Sequence, residues 1–259
     1  MIDVTNKPLA GKKGLVLGIA NEHSIAYGCA QAFRALGAEL ALSYLNEKAK
    51  PYVEPLAKEL GAVIFLPCDV REPGQLDAVF QAIGQTWGRL DFALHAIAFA
   101  PKEDLHGRLA DCSRDGFLQA MDISCYSFIR MARLAEPLMR DGGALFTMSY
   151  YGAEKVIEHY NVMGPVKAAL ESAVRYLAFE FGPKGIRVHA ISPGPVKTRA
   201  ASGIDHFDEL LERAAARAPE RRLVSIEDVG IATAVLATDH AKLITGETVY
   251  VDGGYHILG

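Results

Sequence analysis

Along the whole chain, short apolar runs alternate with stretches whose apolar residues recur at helical spacing. Residues 14–17, 39–44, 63–66, 92–96, 144–148, 187–192 and 248–251 read as strands. Between them, residues 24–36, 48–60, 75–86, 117–139 and 160–181 read as helices, the first ended by Gly37 and the second by Gly61. Ser225 and Asp228 have the spacing of a capping box that opens a last helix. Strands apolar on both sides belong in a parallel sheet covered by helices. No linker, low-complexity tract or repeat interrupts the alternation. The expectation is therefore α/β, a doubly wound parallel sheet (Rossmann fold), in a single domain over residues 1–259. Such sheets bind ligands beyond the carboxyl ends of their strands, so the chemistry is sought in the loops that follow them.

Composition removes several classes of function. The 259 residues are 50% apolar, enough for a sizeable core, and the net charge of −4 offers no basic field for nucleic acid or an anionic membrane. No apolar run is long enough to span a bilayer, and the start lacks the basic-then-apolar layout of a signal peptide. Cys29, Cys68, Cys112 and Cys125 are scattered and read as reduced thiols, which points to the cytoplasm. The 8 histidines show no ligand spacing, so no metal site is expected.

The first strand runs into Gly18-Ile-Ala-Asn-Glu-His-Ser24-Ile25-Ala26, a turn that opens a helix. In a βαβ series this turn aims backbone amides and a helix N-terminus at a pyrophosphate, with Gly18, Ala20 and Ala26 permitting close approach. Ser24 is placed to cap the helix and to donate to phosphate. Asp69 and the Val70 amide, after the third strand, are placed to hold an adenine ring, or Asp69 simply caps a helix. After the fourth strand, the small residues around Ile97 let the chain pass a ribose and nicotinamide.

Tyr160 and Lys167 follow the 144–148 strand at a spacing of two helical turns, which would put both on one helix face. A phenol ordinarily titrates near 10, and a neighbouring ammonium strengthens it as a donor. Such a donor suits the enolate formed when a hydride adds to an enoyl thioester.

These residues resemble the enoyl-acyl carrier protein reductases, a divergent branch of the short-chain dehydrogenase/reductase family, from about Leu9 to Gly254. The most specific mark is Tyr-x6-Lys; ordinary short-chain dehydrogenases have Tyr-x3-Lys, which would need a tyrosine where Met163 stands. Ser149-Tyr150, Gly18-x5-Ser24-Ile-Ala and Ala200-Ala-Ser-Gly-Ile204 resemble the same branch. The resemblance implies reduction of trans-2-enoyl thioesters in fatty acid synthesis. It implies catalytic roles for Tyr160, Lys167 and Tyr150, and cofactor contacts from Gly18, Ser24, Ile25, Asp69, Val70, Ile97, Lys167, Val196, Lys197, Thr198, Arg199 and Ala200. Ala100, Met163, Pro195, Ile204 and Phe207 would line the acyl pocket, beneath a mobile lid near 196–217. It further implies NAD as cofactor, an acyl carrier protein as partner and a homotetramer.

Leu45 departs from the glutamine of the better-known NADH-dependent relatives, and neither Leu45 nor Asn46 offers a cation for a 2′-phosphate. NADH is therefore the expected coenzyme, with NADPH left open. Asp205, Asp208, Glu209 and Glu212 make the lid acidic, which leaves Arg213, Arg217, Arg221 and Arg222 as the expected docking cations for an acidic carrier. The competing readings are a 3-oxoacyl reductase, which needs Tyr-x3-Lys, and a non-catalytic dinucleotide sensor, which does not need the tyrosine and lysine present here.

Overall fold

The computed structural model describes residues 7–198 and 207–258. Its strands are β1 (Lys13–Leu17), β2 (Glu39–Tyr44), β3 (Ile64–Pro67), β4 (Phe92–His95), β5 (Gly143–Met148), β6 (Ile186–Pro193) and β7 (Thr248–Val251). They form one sheet of order β3-β2-β1-β4-β5-β6-β7, parallel at every neighbouring pair. The chain builds outward from β1 to β3, then crosses back to lay β4 on the other side of β1. That reversal opens a crevice at the carboxyl ends of β1 and β4, the place where such sheets hold ligands.

The helices are α1 (Ile25–Ala35), α2 (Lys50–Glu59), α3 (Gln75–Trp87), the short α4 (Lys102–Leu105), α5 (Arg114–Met121), α6 (Ser127–Ala135), α7 (Met163–Phe181), α8 (Phe207–Arg217) and α9 (Ile226–Ala237). They divide between two apolar cores, one on each face of the sheet. Leu15, Leu17, Leu145 and Val188 pack on Phe80 of α3, Phe128 of α6 and Leu170 of α7. From the opposite face, Val16, Leu40, Leu94 and Phe146 pack on Phe33 of α1, Val53 of α2 and Val229 of α9. This is the doubly wound arrangement expected from strands apolar at consecutive positions.

α9 begins with the anticipated capping box: Ser225 Oγ accepts from the Asp228 amide at 3.2 Å, and Asp228 Oδ2 accepts from the Ser225 amide at 3.0 Å. α9 lies along α1 so closely that a Cβ on Gly28 would stand 2.3 Å from the Ile226 carbonyl oxygen, and one on Gly230 would stand 2.3 Å from that of Gly28.

Two helices differ from the sequence reading. The stretch 117–139 is not continuous, because one wider turn of π-helix (Asp122–Tyr126) separates α5 from α6. The helix expected from 160 begins at Met163, so Tyr160 precedes it. His159 and Asn161, on either side of Tyr160, have φ of 64° and 40°, and this backbone reversal cannot continue a right-handed helix. Of the segment expected as a lid, α8 is described, whereas residues 199–206 lie outside the described residues.

Candidate active site

The turn after β1 is closed from within. Gly18 has φ 102°, and a Cβ there would fall 2.2 Å from the Ala96 carbonyl oxygen, so only glycine lets the ends of β1 and β4 meet this closely. Ser24 Oγ accepts from the amides of Ala20 and Asn21, at 3.0 and 3.1 Å. Ser24 is the N-cap of α1 by position, but its side chain caps no helix amide. The expected capping bond is thus replaced by one that shapes the turn. Ile25, half-buried, follows as the first helical residue. A turn this close to β4 at the mouth of the crevice, leading into a helix N-terminus, fits a dinucleotide pyrophosphate.

Asp69 is buried and grips Arg71: Arg71 Nη2 donates to Oδ2 at 2.6 Å and Nε to Oδ1 at 3.0 Å. That guanidinium is the largest influence on the carboxyl and holds it below its ordinary range. Asp69 caps no helix, since α3 starts at Gln75 with Gly74 before it. The loop is braced twice, by Gln75 Oε1 accepting from the Asp69 amide at 2.8 Å and by Arg130 donating to the Val70 carbonyl at 2.9 Å. Val70 is buried and Ile97 half-buried, each just past its strand, on the same edge of the sheet as Gly18.

The tyrosines and the lysine gather at the exit of β5. The Tyr150 and Tyr160 rings meet edge to face with centroids 4.9 Å apart. Lys167, on α7, is buried and donates from Nζ to the Met148 carbonyl oxygen at 2.6 Å. Burial, opposed by the nearby Cys125 and Glu171, lowers its ammonium from an ordinary 10.5 to about 8. Burial also pushes both phenols well above their ordinary value, with each neighbouring acid adding to the shift. The influence on the Tyr160 phenol expected from Lys167 does not enter; burial, then Tyr150 and Glu171, raise it, and both tyrosines stand as protonated donors. The Tyr150 hydroxyl is buried with no partner among the described residues. An unpaired buried donor costs about 1–3 kcal/mol, and one at the mouth of a crevice fits a ligand oxygen.

Several supporting residues escaped the sequence reading because their partners come from distant strands. His95 Nε2 lies 2.7 Å from Ser127 Oγ, whose own hydrogen goes to the Ile123 carbonyl at 2.6 Å. Ser127 must therefore accept, so Nε2 carries the proton and Nδ1 can accept from Thr147 Oγ1 at 3.3 Å. Burial holds this imidazole neutral, lowering it from 6.5 to about 3. His95 thereby ties β4 to β5 and to the start of α6, next to the π-turn whose Ser124 bonds both the amide and the carbonyl of Phe99 at 2.9 and 3.1 Å. Asn161 Nδ2 reaches the Leu105 carbonyl at 2.7 Å, anchoring the turn that carries Tyr160.

Around this centre, Ala100 is half-buried beyond β4, Met163 is buried at the first turn of α7, and Pro195 is buried beyond β6. Val196, Lys197 and Thr198 continue from Pro195, with Lys197 exposed. Arg199, Ala200 and Ile204 lie outside the described residues, as does the side chain of Phe207. A separate cavity of about 390 Å³ beyond β7 is lined by Arg222, Tyr250, Asp252 and His256 among others, and by none of the expected site residues.

Comparison with known proteins bears on the same residues. A family model described as enoyl-(acyl carrier protein) reductase matches residues 18–256. The enoyl-[acyl-carrier-protein] reductase [NADH] 1 of Rhizobium meliloti (strain 1021) is 52% identical over 249 residues, 96% of this chain and 92% of that protein. A solved enoyl-(acyl-carrier-protein) reductase of Anaplasma phagocytophilum, in complex with NAD, is 50% identical with a TM-score of 0.94, covering 97% of this chain and 96% of its own. The Bacillus cereus enoyl-acyl carrier protein reductase, solved with NADP+ and an indole naphthyridinone, is 44% identical with a TM-score of 0.95, over 97% and 98%. With a tyrosine six residues clear of its lysine at the exit of β5 and the family's pattern running from the first turn to the last strand, this chain belongs to the enoyl-acyl carrier protein reductase family.

Proposed function

We propose that this chain is an NADH-dependent enoyl-acyl carrier protein reductase that saturates the 2,3 double bond of trans-2-enoyl thioesters in fatty acid synthesis. The observation that carries the reading is the Tyr150–Tyr160 pair at the carboxyl edge of a parallel sheet: two protonated phenols with ring centroids 4.9 Å apart, one on a buried tyrosine and one a buried hydroxyl on a half-buried ring, with buried Lys167 held to the same strand exit. NADH supplies the hydride. With the hydride added at C3, negative charge would develop on the thioester oxygen, to which buried Tyr160 gives a preorganised hydrogen bond, and a proton from solvent at C2 would complete the saturated thioester. Tyr150 offers a second. Lys167 binds the nicotinamide ribose hydroxyls, with its ammonium aimed by Met148. Gly18, Ser24 and Ile25 take the pyrophosphate, and Asp69 and Val70 the adenine.

The 3-oxoacyl reductase alternative needs a tyrosine one turn before Lys167, and the buried thioether of Met163 fills that position. The sensor alternative is disfavoured by the intact tyrosine and lysine. For coenzyme choice, Leu45 is half-exposed at the end of β2, while Asn46 Oδ1 accepts from the amides of Lys48 and Ala49, both at 3.1 Å. Lys50 stands 3.7 Å from Glu47, over the Tyr44 ring. Leu45 and Asn46 themselves bring no guanidinium fork to this strand end, which supports NADH over NADPH.

A homotetramer also belongs to this proposal, supported by large apolar side chains left on two faces, Tyr176 and Phe179 on α7 and Ile231 and Val235 on α9. Light scattering on the eluting protein measures it. No described helix is long and apolar enough to cross a membrane, and a cytoplasmic location is part of the same reading.

The decisive experiment follows reduced-nicotinamide absorbance with a short trans-2-enoyl thioester, using NADH and NADPH in turn. Turnover with NADH supports the reading. Reduction of a 3-oxoacyl thioester, or turnover of neither substrate, overturns it.

A further inference from the structure

On α7, Lys167 and Glu171 stand one turn apart, and both reach the exit of β5. Lys167 Nζ donates to the Met148 carbonyl at 2.6 Å, and Ser149 Oγ donates to Glu171 Oε1 at 2.5 Å. Two successive residues of the strand exit are thus held by two side chains one helical turn apart. The next residue, Tyr150, is the one that meets Tyr160. Thr248 of β7 also hydrogen-bonds the Glu171 carboxylate.

We propose that Glu171 is a positioning residue of the reductase, whose negative charge keeps the Lys167 side chain an ammonium and whose bond to Ser149 sets Tyr150 against Tyr160. The inference rests on the reading of Lys167 as the ribose-binding cation.

The charges around the pair support this. Facing Lys167 are His95 from β4, held neutral, and Cys125 from the π-turn, whose thiol burial pushes up. Cys125 and Glu171 both favour the charged lysine, but the thiol's raised titration leaves the carboxylate as the group able to supply a standing negative charge. Facing Glu171 are Arg175 on its own helix, Glu154 from the turn after β5, and Tyr250 from β7. Burial raises the Glu171 carboxyl, and the Ser149 and Thr248 hydroxyls draw it back down. A neutral amide at position 171 could accept from Ser149 equally well. Only a carboxylate can also counter the burial of an ammonium.

Charge and packing are therefore separable by Glu171→Gln and Ser149→Ala. NADH affinity of each variant is measured by nicotinamide fluorescence across pH 6 to 10. In the parent protein, affinity falls on the alkaline side as Lys167 loses its proton. Glu171→Gln should move that fall to lower pH by roughly half a unit to one unit, as expected for removal of a nearby opposite charge. Ser149→Ala should leave the fall in place, and Glu171→Asp should restore it if Glu171→Gln proves unstable. An alkaline fall at the same pH in Glu171→Gln and the parent overturns the proposal. Lys167→Ala tests the premise separately: parent-like affinity with the same alkaline fall would show that Lys167 is not the group that titrates, and would overturn reading and inference together.

Discussion

Tyr160 and Tyr150 are kept protonated by burial, so each retains a hydrogen to donate at neutral pH, and their chemistry should differ sharply from that of Lys167. Tyr160→Phe removes one donor from the developing enolate and should lower kcat by about 10²–10³, the usual cost of a single oxyanion donor. Its NADH dissociation constant should stay near the parent value. Lys167→Ala should weaken NADH binding and turnover together, and equal effects of the two changes on the dissociation constant would refute this division. A second residue with a pH signature is His189 in β6, which is fully buried against Phe146 with both ring nitrogens lacking a partner among the described residues. Burial first, and Arg187 second, lower its imidazole from 6.5 to about 4. Between those values the unfolded chain binds the proton and the folded chain does not, so folding stability must fall as pH drops from 6.5 toward 4. His189→Leu removes that proton uptake and should flatten melting temperature against pH across this window. An unchanged slope would assign the acid sensitivity to other groups.

Elements were legible in the sequence wherever their signal was local. β2 and β7 begin and end where their short apolar runs placed them, and the Ser225–Asp228 spacing located the start of α9. What stayed hidden depended on contacts between distant segments. An unbroken apolar period from 117 cannot reveal that one residue too many enters the turn at Asp122–Tyr126, where Ser124 and Ser127 must meet Phe99 and His95. Likewise, the sequence around Tyr160 does not reveal that Asn161 leaves the helical region while its side chain reaches Leu105. Tyr160 and Lys167 were singled out by residue type and spacing, but the shared helix face expected for them is absent, because the helix begins at Met163. A prediction at this scale concerns the end of β2. Leu45→Arg supplies a fork for a 2′-phosphate and should shift kcat/KM toward NADPH by at least one order of magnitude, since charge-assisted pairs contribute about 1.5–3 kcal/mol. Faster turnover of NADPH than NADH by the parent at equal low concentration would show that Lys48 or another cation already serves there.

For the whole molecule, charge and assembly order matter more than any single element. The four arginines expected to dock an acidic carrier are not equivalent. Arg213 pairs with Glu158 at 3.0 Å and Glu209 at 3.8 Å, and Arg222 pairs with Glu220 at 3.0 Å and Asp228 at 3.3 Å. Arg217 lies over the Tyr255 ring, and Arg221 donates to the Ala216 carbonyl. Arg217→Glu with Arg221→Glu should raise KM for the carrier-bound substrate and spare the coenzyme A thioester. The gap should narrow at high salt, which screens exposed charges. Equal change in both substrates, or in neither, would remove these arginines from docking.

The contact between α1 and α9 carries a consequence for how the protein is made. Cys29 and Thr233 touch across it at 3.8 Å although they are 204 positions apart. A chain emerging from its amino end thus completes every residue of the turn after β1 long before the helix that covers α1 exists. Until then the glycine face of α1 is bare backbone and apolar side chain, open to chaperones, proteases and other nascent chains. A fragment ending at residue 198 should therefore bind a hydrophobic dye and be cut rapidly within α1. It should fail to bind NADH despite holding Gly18, Ser24, Asp69 and Lys167, and adding a separate piece from 207 onward should restore protection of α1 first.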